Sequence, residues 1–293
     1  KGVVVNIEST VESIKKAVEE AELMAAVQIN SVYTGIAGSH ISGENLKGVV
    51  ALKKQEVTRD DISRAVESAR TLAVIPHERR ILHVLPREFM VDDQEGVREP
   101  LGMSGNRLEV NVHVITGAVT SAQNIIKSVN RAGLDVVDII LQPLASSEAV
   151  LSAEERELGV AMVDLGGGTT DLAIFLDGSI RHTAVLPIGG QNLTKDLAIG
   201  LLTSQTDAEK IKVQHGIART ELVHGHQMVE VPSVGDRPPR QFTRRDIAEI
   251  LEPRVEEMFD LVKREIVRAG YEGMLGAGVV ITGGTSLLEG MPD

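Results

Sequence analysis

Residues 108–115 alternate cleanly, with Leu108, Val110, Val112 and Val114 on one face, and predict a half-buried strand. Residues 159–163 and 172–176 are instead unbroken apolar runs around a glycine cluster, which predicts two buried strands. Asp177-Gly178 then predicts a tight hairpin into residues 179–186, so the unit reads as a β-meander. Helical spacing appears over residues 9–24, where Ser9-x-x-Glu12 reads as a capping box ahead of Ile14, Val18 and Ala21. A second helix is expected after Thr58, with Ile62, Ala65, Val66, Ala69 and Leu72 on one face. Residues 120–132 predict a helix stopped by Gly133, and residues 136–141 a strand leading into a helix at Gln142-Pro143. Short helices are expected over 194–202 and after a cap at Asp207. Residues 228–231 read as a strand, 232–239 as a loop, and 243–269 as a long helix that Pro253 kinks or restarts. Residues 277–282 predict a buried strand ending in Gly283-Gly284-Thr285. Strand candidates at 29–37, 48–52, 80–85 and 89–92 complete the reading, with turn-rich sequence over 95–105. Residues 3–5 are too short to classify.

Composition narrows the function classes. The 293 residues carry 30 Lys+Arg against 42 Asp+Glu, a net charge of −12, which disfavours non-specific nucleic-acid binding. Aromatics are 2% of residues, so base-stacking platforms are not expected. Zero cysteines exclude disulfides and thiolate metal sites. No apolar run approaches the ~18 residues that span a bilayer. The chain starts at Lys1 with an apolar run under way and is read as a fragment.

The chemistry concentrates in Asp164-Leu165-Gly166-Gly167-Gly168-Thr169-Thr170-Asp171. Three consecutive glycines let backbone N–H groups approach an anion, Thr169 and Thr170 add hydroxyl donors, and Asp164 is placed to hold a hydrated Mg²⁺ beside the same phosphates. The glycines precede a strand pattern, so this is neither a Walker loop nor a dinucleotide fingerprint. A glycine turn binding nothing is the competing reading. Gly283, Gly284 and Thr285 let a flat purine lie against bare backbone. Glu209 and Lys212 share a helix face, a spacing that by itself reads as a solvated ion pair. One His-x-His, His224-Gly225-His226, is read as surface rather than metal site.

These motifs resemble the actin-like ATPases. The resemblance implies an actin-like (ribonuclease-H-like) two-lobed α/β fold, ATP and Mg²⁺ as cofactors, and at most slow hydrolysis. It implies Asp164, Gly166, Gly167, Gly168, Thr169 and Thr170 at the phosphates, with Glu209, Lys212, Gly283, Gly284 and Thr285 at the nucleoside. Gln142 falls where the superfamily orients an attacking water, with Glu148 as the other candidate. The superfamily's first phosphate loop, Asp-x-Gly-Thr, has no match, an absence assigned to truncation. Sugar-kinase-like and chaperone-like ATPases share the motifs and are the alternatives.

Residues 142–151, 154–160 and 231–240, with 21–25 and 38–42, resemble the FtsA family of bacterial cell-division proteins. The family layout implies subdomain IA at 1–30 and 117–153, an inserted α+β subdomain IC at 31–116, IIA at 154–203 and 277–293, and IIB at 204–276. It further implies head-to-tail filaments, other divisome proteins bound through IC, and capture of the FtsZ C-terminal tail by IIB. Arg240, Arg254 and Met258 are the expected tail contacts. Location is implied at the cytoplasmic face of the inner membrane at the septum, through a C-terminal amphipathic helix absent from these residues.

Overall fold

The computed structural model describes residues 3–225, 227–235 and 237–292. His226 of the His-x-His pair, and Asp236 of the 232–239 loop, lie outside the described residues. Helix α1 (Ile7–Ala25) begins earlier than the capping-box reading placed it. Asn6 is its cap, with Oδ1 accepting from Ser9 N–H at 3.1 Å. Strand β1 (Ser31–Ile36) runs parallel to β6 (Asp135–Leu141), and helix α3 (Val119–Arg131) packs beside them. Residues 31–36, assigned from sequence to the insertion, therefore belong with β6.

Between those strands lies a four-stranded antiparallel sheet ordered β2 (Ser42–Ala51), β5 (Arg107–Ala118), β3 (Arg79–Val91) and β4 (Gln94–Val97). The two candidates at 80–85 and 89–92 are one strand, β3, with register shifts at Ile81/His83 and Pro86/Glu88. Helix α2 (Arg59–Leu72) covers one face. Its cap is the Thr58–Asp61 box, and Ala65 and Ala69 are buried, whereas Leu72 is 59% exposed rather than on the packed face.

Helices α4 (Gln142–Val150) and α5 (Ala153–Leu158) lead to the second sheet, ordered β12 (Gly278–Thr282), β7 (Val160–Leu165), β8 (Thr170–Leu176), β9 (Ser179–Leu186). Asp177 (φ 53°) and Gly178 (φ 72°) make the expected tight turn. All of β7 but Asp164, and all of β8 but Leu176, are buried. Helices on both faces explain why those runs are continuous rather than alternating. β12 is an edge strand with Val279 49% exposed, not the fully buried strand its apolar sequence suggested.

Helix α6 (Gly190–Gly200) starts four residues before the predicted 194. Helix α7 (Gln205–His215) is capped by Ser204, with Asp207 inside its first turn. The hairpin β10 (Met228–Val231) and β11 (Arg240–Thr243) precedes α8 (Arg244–Arg268), capped by Thr243. Pro253 does not restart α8, which is one helix of 25 residues. Its buried side chains Ile247, Leu251, Val255, Met258, Val262 and Ile266 join Leu172, Ile174, Leu193 and Leu197 in one core.

Candidate functional site

The glycine turn after β7 is held from below by backbone. Gly190 N–H donates to Gly166 O at 2.9 Å and Gln191 N–H to Gly167 O at 2.7 Å, so α6 begins directly against the turn. Asn192 Oδ1 accepts from Gly189 N–H at 3.1 Å and fixes that start. The second glycine pair arrives on the other side. Thr285 Oγ1 donates to Gly166 O at 3.1 Å, and Gly283 has φ 86° with Asp164 Oδ1 where its Cβ would stand. Any side chain there displaces the Asp164 carboxylate, which explains glycine at 283.

Glu209 and Lys212 form an ion pair at 2.8 Å, but it is not a solvated surface pair. Lys212 Nζ, on a side chain 12% exposed, also donates to Gly190 O at 3.2 Å and Thr194 Oγ1 at 3.0 Å. Thr194 Oγ1 in turn bonds Glu209. Burial works against the charged Glu209 carboxylate, yet the bonds from Lys212 and Thr194 leave it below the usual range. A cavity of about 460 Å³ opens here, walled by Gly167, Glu209, Lys212, Gly284, Thr285 and Leu288 among others. Arg244 and Glu289 pair at its rim. Residues more than a hundred positions apart thus line one cavity.

A second cavity, about 600 Å³, lies on the opposite side of the turn and holds Gln142, Gly168, Gln191 and Lys195 with Gly35 and Ala37. Gln142 is thereby brought to the glycine turn from β6–α4. Glu148, the other candidate there, instead pairs with Arg156 at 2.7 Å. Asp164 is half-buried, its Oδ2 accepting from Ser146 Oγ at 2.8 Å. Asp171, its cross-strand partner, is 3% exposed. Burial pushes the Asp171 carboxyl up to about 6, a hydrogen bond from Thr169 opposing and the Asp164 charge adding.

The expected tail contacts separate. Met258 is 1% exposed and part of the core, so it offers no apolar pad on the surface. Arg254 reaches across to α6, bonding Asp196 at 2.6 and 3.2 Å and pairing with Glu257. Arg240 donates to Leu201 O and lies over Phe242, 5.4 Å from the ring centre, beside a groove lined by Ala198, Leu202, Val234, Arg237 and Pro238. The expectation sets Arg254 and Met258 at the tail together; the packing of α6 and the core onto α8 decides otherwise.

Sequence reasoning missed Ser146, Thr194 and the Gly189-Gly190 start of α6. The Gly-Gly pair ahead of Gln191-Asn192-Leu193-Thr194 was the available signal; Ser146 gave none. Among the described residues no group of three or more His, Asp or Glu is arranged to hold a metal by itself. None of the described helices is long and apolar enough to cross a membrane.

Residues 38–116 match a family model described as the SHS2 domain inserted in FTSA, and residues 161–293 one described as cell division protein FtsA. The cell division protein FtsA of Pseudomonas aeruginosa is 53% identical over 290 residues, which cover 99% of this chain and 69% of that protein. That of Escherichia coli K12 is 45% identical over 298 residues, covering 99% and 71%. Among solved structures, the PilM-PilN type IV pilus biogenesis complex superposes with TM-score 0.65 at 17% identity, covering 99% of this chain and 72% of that one, a likeness of fold alone. The chain belongs to the FtsA family of cell division proteins and has the actin-like fold, which removes the sugar-kinase and chaperone alternatives.

Proposed function

We propose that the two cavities flanking the glycine turn form one ATP·Mg²⁺ cleft of a filament-forming cell-division protein. Gly167 and Gly168 bring bare backbone to the phosphates. The expected donors Gly166, Thr169 and Thr170 hold the turn instead: Gly166 N–H donates to Thr169 O, Thr169 Oγ1 to Asp171, and fully buried Thr170 Oγ1 to Ile188 O. Glu209, Lys212, Gly284 and Thr285 surround the nucleoside in the 460 Å³ cavity, and Gly283 packs behind them against Asp164. Asp164, oriented by the hydrogen bond from Ser146, would hold the Mg²⁺ that accompanies the nucleotide. The metal supplies charge neutralisation at the phosphates. Gln142 orients water without being a strong base, so turnover is slow. The observation that carries this reading is the convergence of residues 167, 209, 212, 284 and 285 on one cavity. Asp164→Ala is expected to weaken Mg²⁺-dependent ATP binding by about ten-fold or more, read by titration calorimetry; unchanged affinity removes the site.

Within the family frame, the chain works at the division site, self-associates head to tail, recruits other divisome proteins through the inserted domain and anchors the FtsZ tail at the inner membrane. Head-to-tail contacts are heterologous and give filaments, not closed dimers. Support for a tail site moves from Arg254 and Met258 to the groove beside Arg240, where exposed Leu202 and Val234 flank Arg237 and Arg240. Guanidinium groups over an apolar floor suit an acidic, partly apolar peptide. Arg237→Glu combined with Arg240→Glu is expected to abolish binding of an FtsZ tail peptide in fluorescence anisotropy while ATP affinity stays constant. Retained peptide binding would place the tail elsewhere.

A further inference from the structure

Three imidazoles sit where the inserted sheet meets the rest of the molecule, and each works there as an acceptor. Ala118 N–H, where β5 leaves the insert for α3, donates to His40 Nδ1 at the insert's entry, at 3.3 Å. Leu141 N–H, at the end of β6, donates to His83 Nε2 of β3 at 3.0 Å. His113 of β5 meets β9. Asn45 Nδ2 donates to Arg181 O, which turns Asn45 Oδ1 toward His113 Nδ1. His113 Nδ1 therefore carries the proton, and Nε2 accepts from Thr183 Oγ1 at 3.1 Å. A neutral imidazole has one acceptor nitrogen and an imidazolium has none. All three bonds exist only while the rings are neutral. Gly43 is part of the fit, since a Cβ there would stand 2.6 Å from the His113 ring and 2.8 Å from Thr183 Oγ1.

The charges around the three rings are mixed. Arg79 faces His40 and Asp138 of β6 faces His83. Arg87 and His182 face His113, with His182 itself paired to Glu265 of α8 at 2.8 Å. Burial is the largest influence at each ring and outweighs Asp138, so all three titrate below the ordinary imidazole range. The insert keeps its own shape by other means. Its core of Ala65, Ala69, Phe89, Leu108, Val110 and Val112 is a separate cluster, while Ile41, Leu82 and Leu85 reach across to those of the lobes. We propose that His40, His83 and His113 form an acid-sensitive latch, which on protonation releases the insert from its docked position while its own sheet and α2 stay folded. The docked state is fully favoured above pH 6.5, where the rings are neutral whether docked or released. It weakens as pH falls, because the released state takes up the protons first.

The test is hydrogen exchange at single amides of the whole chain, read by NMR at about pH 7.5 and about pH 5 and corrected for intrinsic exchange rates. Protection of the Ala118 and Leu141 amides is expected to fall about ten-fold or more between those conditions. Protection of Val110 and Val112, inside the insert's own sheet, is expected to stay within about two-fold. Constant protection at Ala118 and Leu141, or an equal loss at all four amides, overturns the inference. In His83→Gln an amide oxygen can accept from Leu141 without titrating, so protection at Leu141 is expected to survive the lower pH. A loss like that of wild type overturns the inference. Should the variant fail to fold, the ring ¹⁵N shifts of wild type at the higher pH decide. The proton is expected on Nε2 of His40 and on Nδ1 of His83 and His113. A proton on the acceptor nitrogen of any of the three overturns the inference.

Discussion

The molecule's two four-stranded sheets bury their strands differently. In the second lobe, β7 and β8 are covered on both faces, and Leu165, Leu172 and Ile174 on one side and Met162 and Ala173 on the other lie in separate clusters. The inserted sheet is covered by α2 on one face only, where Leu108, Val110, Val112 and Val114 pack with Ala65 and Ala69. Its other face carries polar side chains, and yet it is not simply wet. His113, 1% exposed, bonds Asn45 Oδ1 at 2.7 Å and Thr183 Oγ1 of β9 at 3.1 Å. Asn45 Nδ2 donates to Arg181 O at 3.3 Å, and Ser179 Oγ to Arg87 O at 2.9 Å. One sheet is thus an apolar filling, the other half apolar core and half polar joint. His113 and Asn45 are tolerable in that joint because they are paired, while Arg87 Nε is buried without a hydrogen-bond partner among the described residues.

The sharpest way to break this contrast is a cavity in each apolar layer. Leu172→Ala and Leu108→Ala both remove fully buried side chains and are expected to cost about 2–5 kcal/mol each. In calorimetry Leu172→Ala is expected to lower the transition of the second lobe, whereas Leu108→Ala lowers an earlier transition of the insert alone. Equal displacement of one shared transition would show that the polar joint couples the sheets as firmly as a common core.

Acid probes the joint itself. Burial holds the His113 imidazole down at about 4, with positive charge on His182 and Arg87 adding, so the folded protein keeps it neutral. The folded value lies below the unfolded 6.5, so the unfolded state binds the extra proton first. Stability attributable to neutral His113 is therefore full above pH 6.5 and is lost as pH falls through about 4, on the order of 3 kcal/mol in total. Urea midpoints between pH 7 and 4 are expected to fall more steeply for wild type than for His113→Gln. Parallel curves would remove His113 from the joint's pH response.

Next in size is the α6–α8 tie. Arg254→Glu sets a carboxylate against Asp196 and Glu257 and is expected to cost about 1–2 kcal/mol, read as a lower Tm, since the pair is partly buried. An unchanged Tm would mean that the ion pair is incidental. The smallest effect belongs to Arg98 and Glu157, which bridge insert and second lobe at 2.6 Å in the open. Arg98→Ala is expected to leave Tm unchanged, because exposed ion pairs are screened by solvent.

Local pattern and chemistry in the sequence were enough for several elements. Thr58 caps its helix as read, because a hydroxyl three residues ahead of an acid is a local device, and Thr243 ahead of Asp246 repeats it. The same logic failed at Ser9 and Asp207, where Asn6 and Ser204 offered better-placed caps a few residues earlier. The Asp177-Gly178 turn was also legible, since two positive φ angles in succession narrow the residue choice. So was the pairing of Gly166–Thr169 with Gly283–Thr285, which rests on backbone exposed by missing side chains.

What the chain alone determined is therefore local: periodicity, caps, tight turns and the glycines where backbone must stay bare. The tertiary structure decided what each polar or apolar side chain faces. It moved residues 31–36 from the insertion to β6, and it placed Met258 in the core and Arg254 on Asp196. It closed the polar face of β5 against β9 and left Asp171 Oδ1 without a donor among the described residues. Those outcomes depend on which distant segment docks where, and a pattern of period 2 or 3.6 fixes a side chain's face but not the partner that covers it.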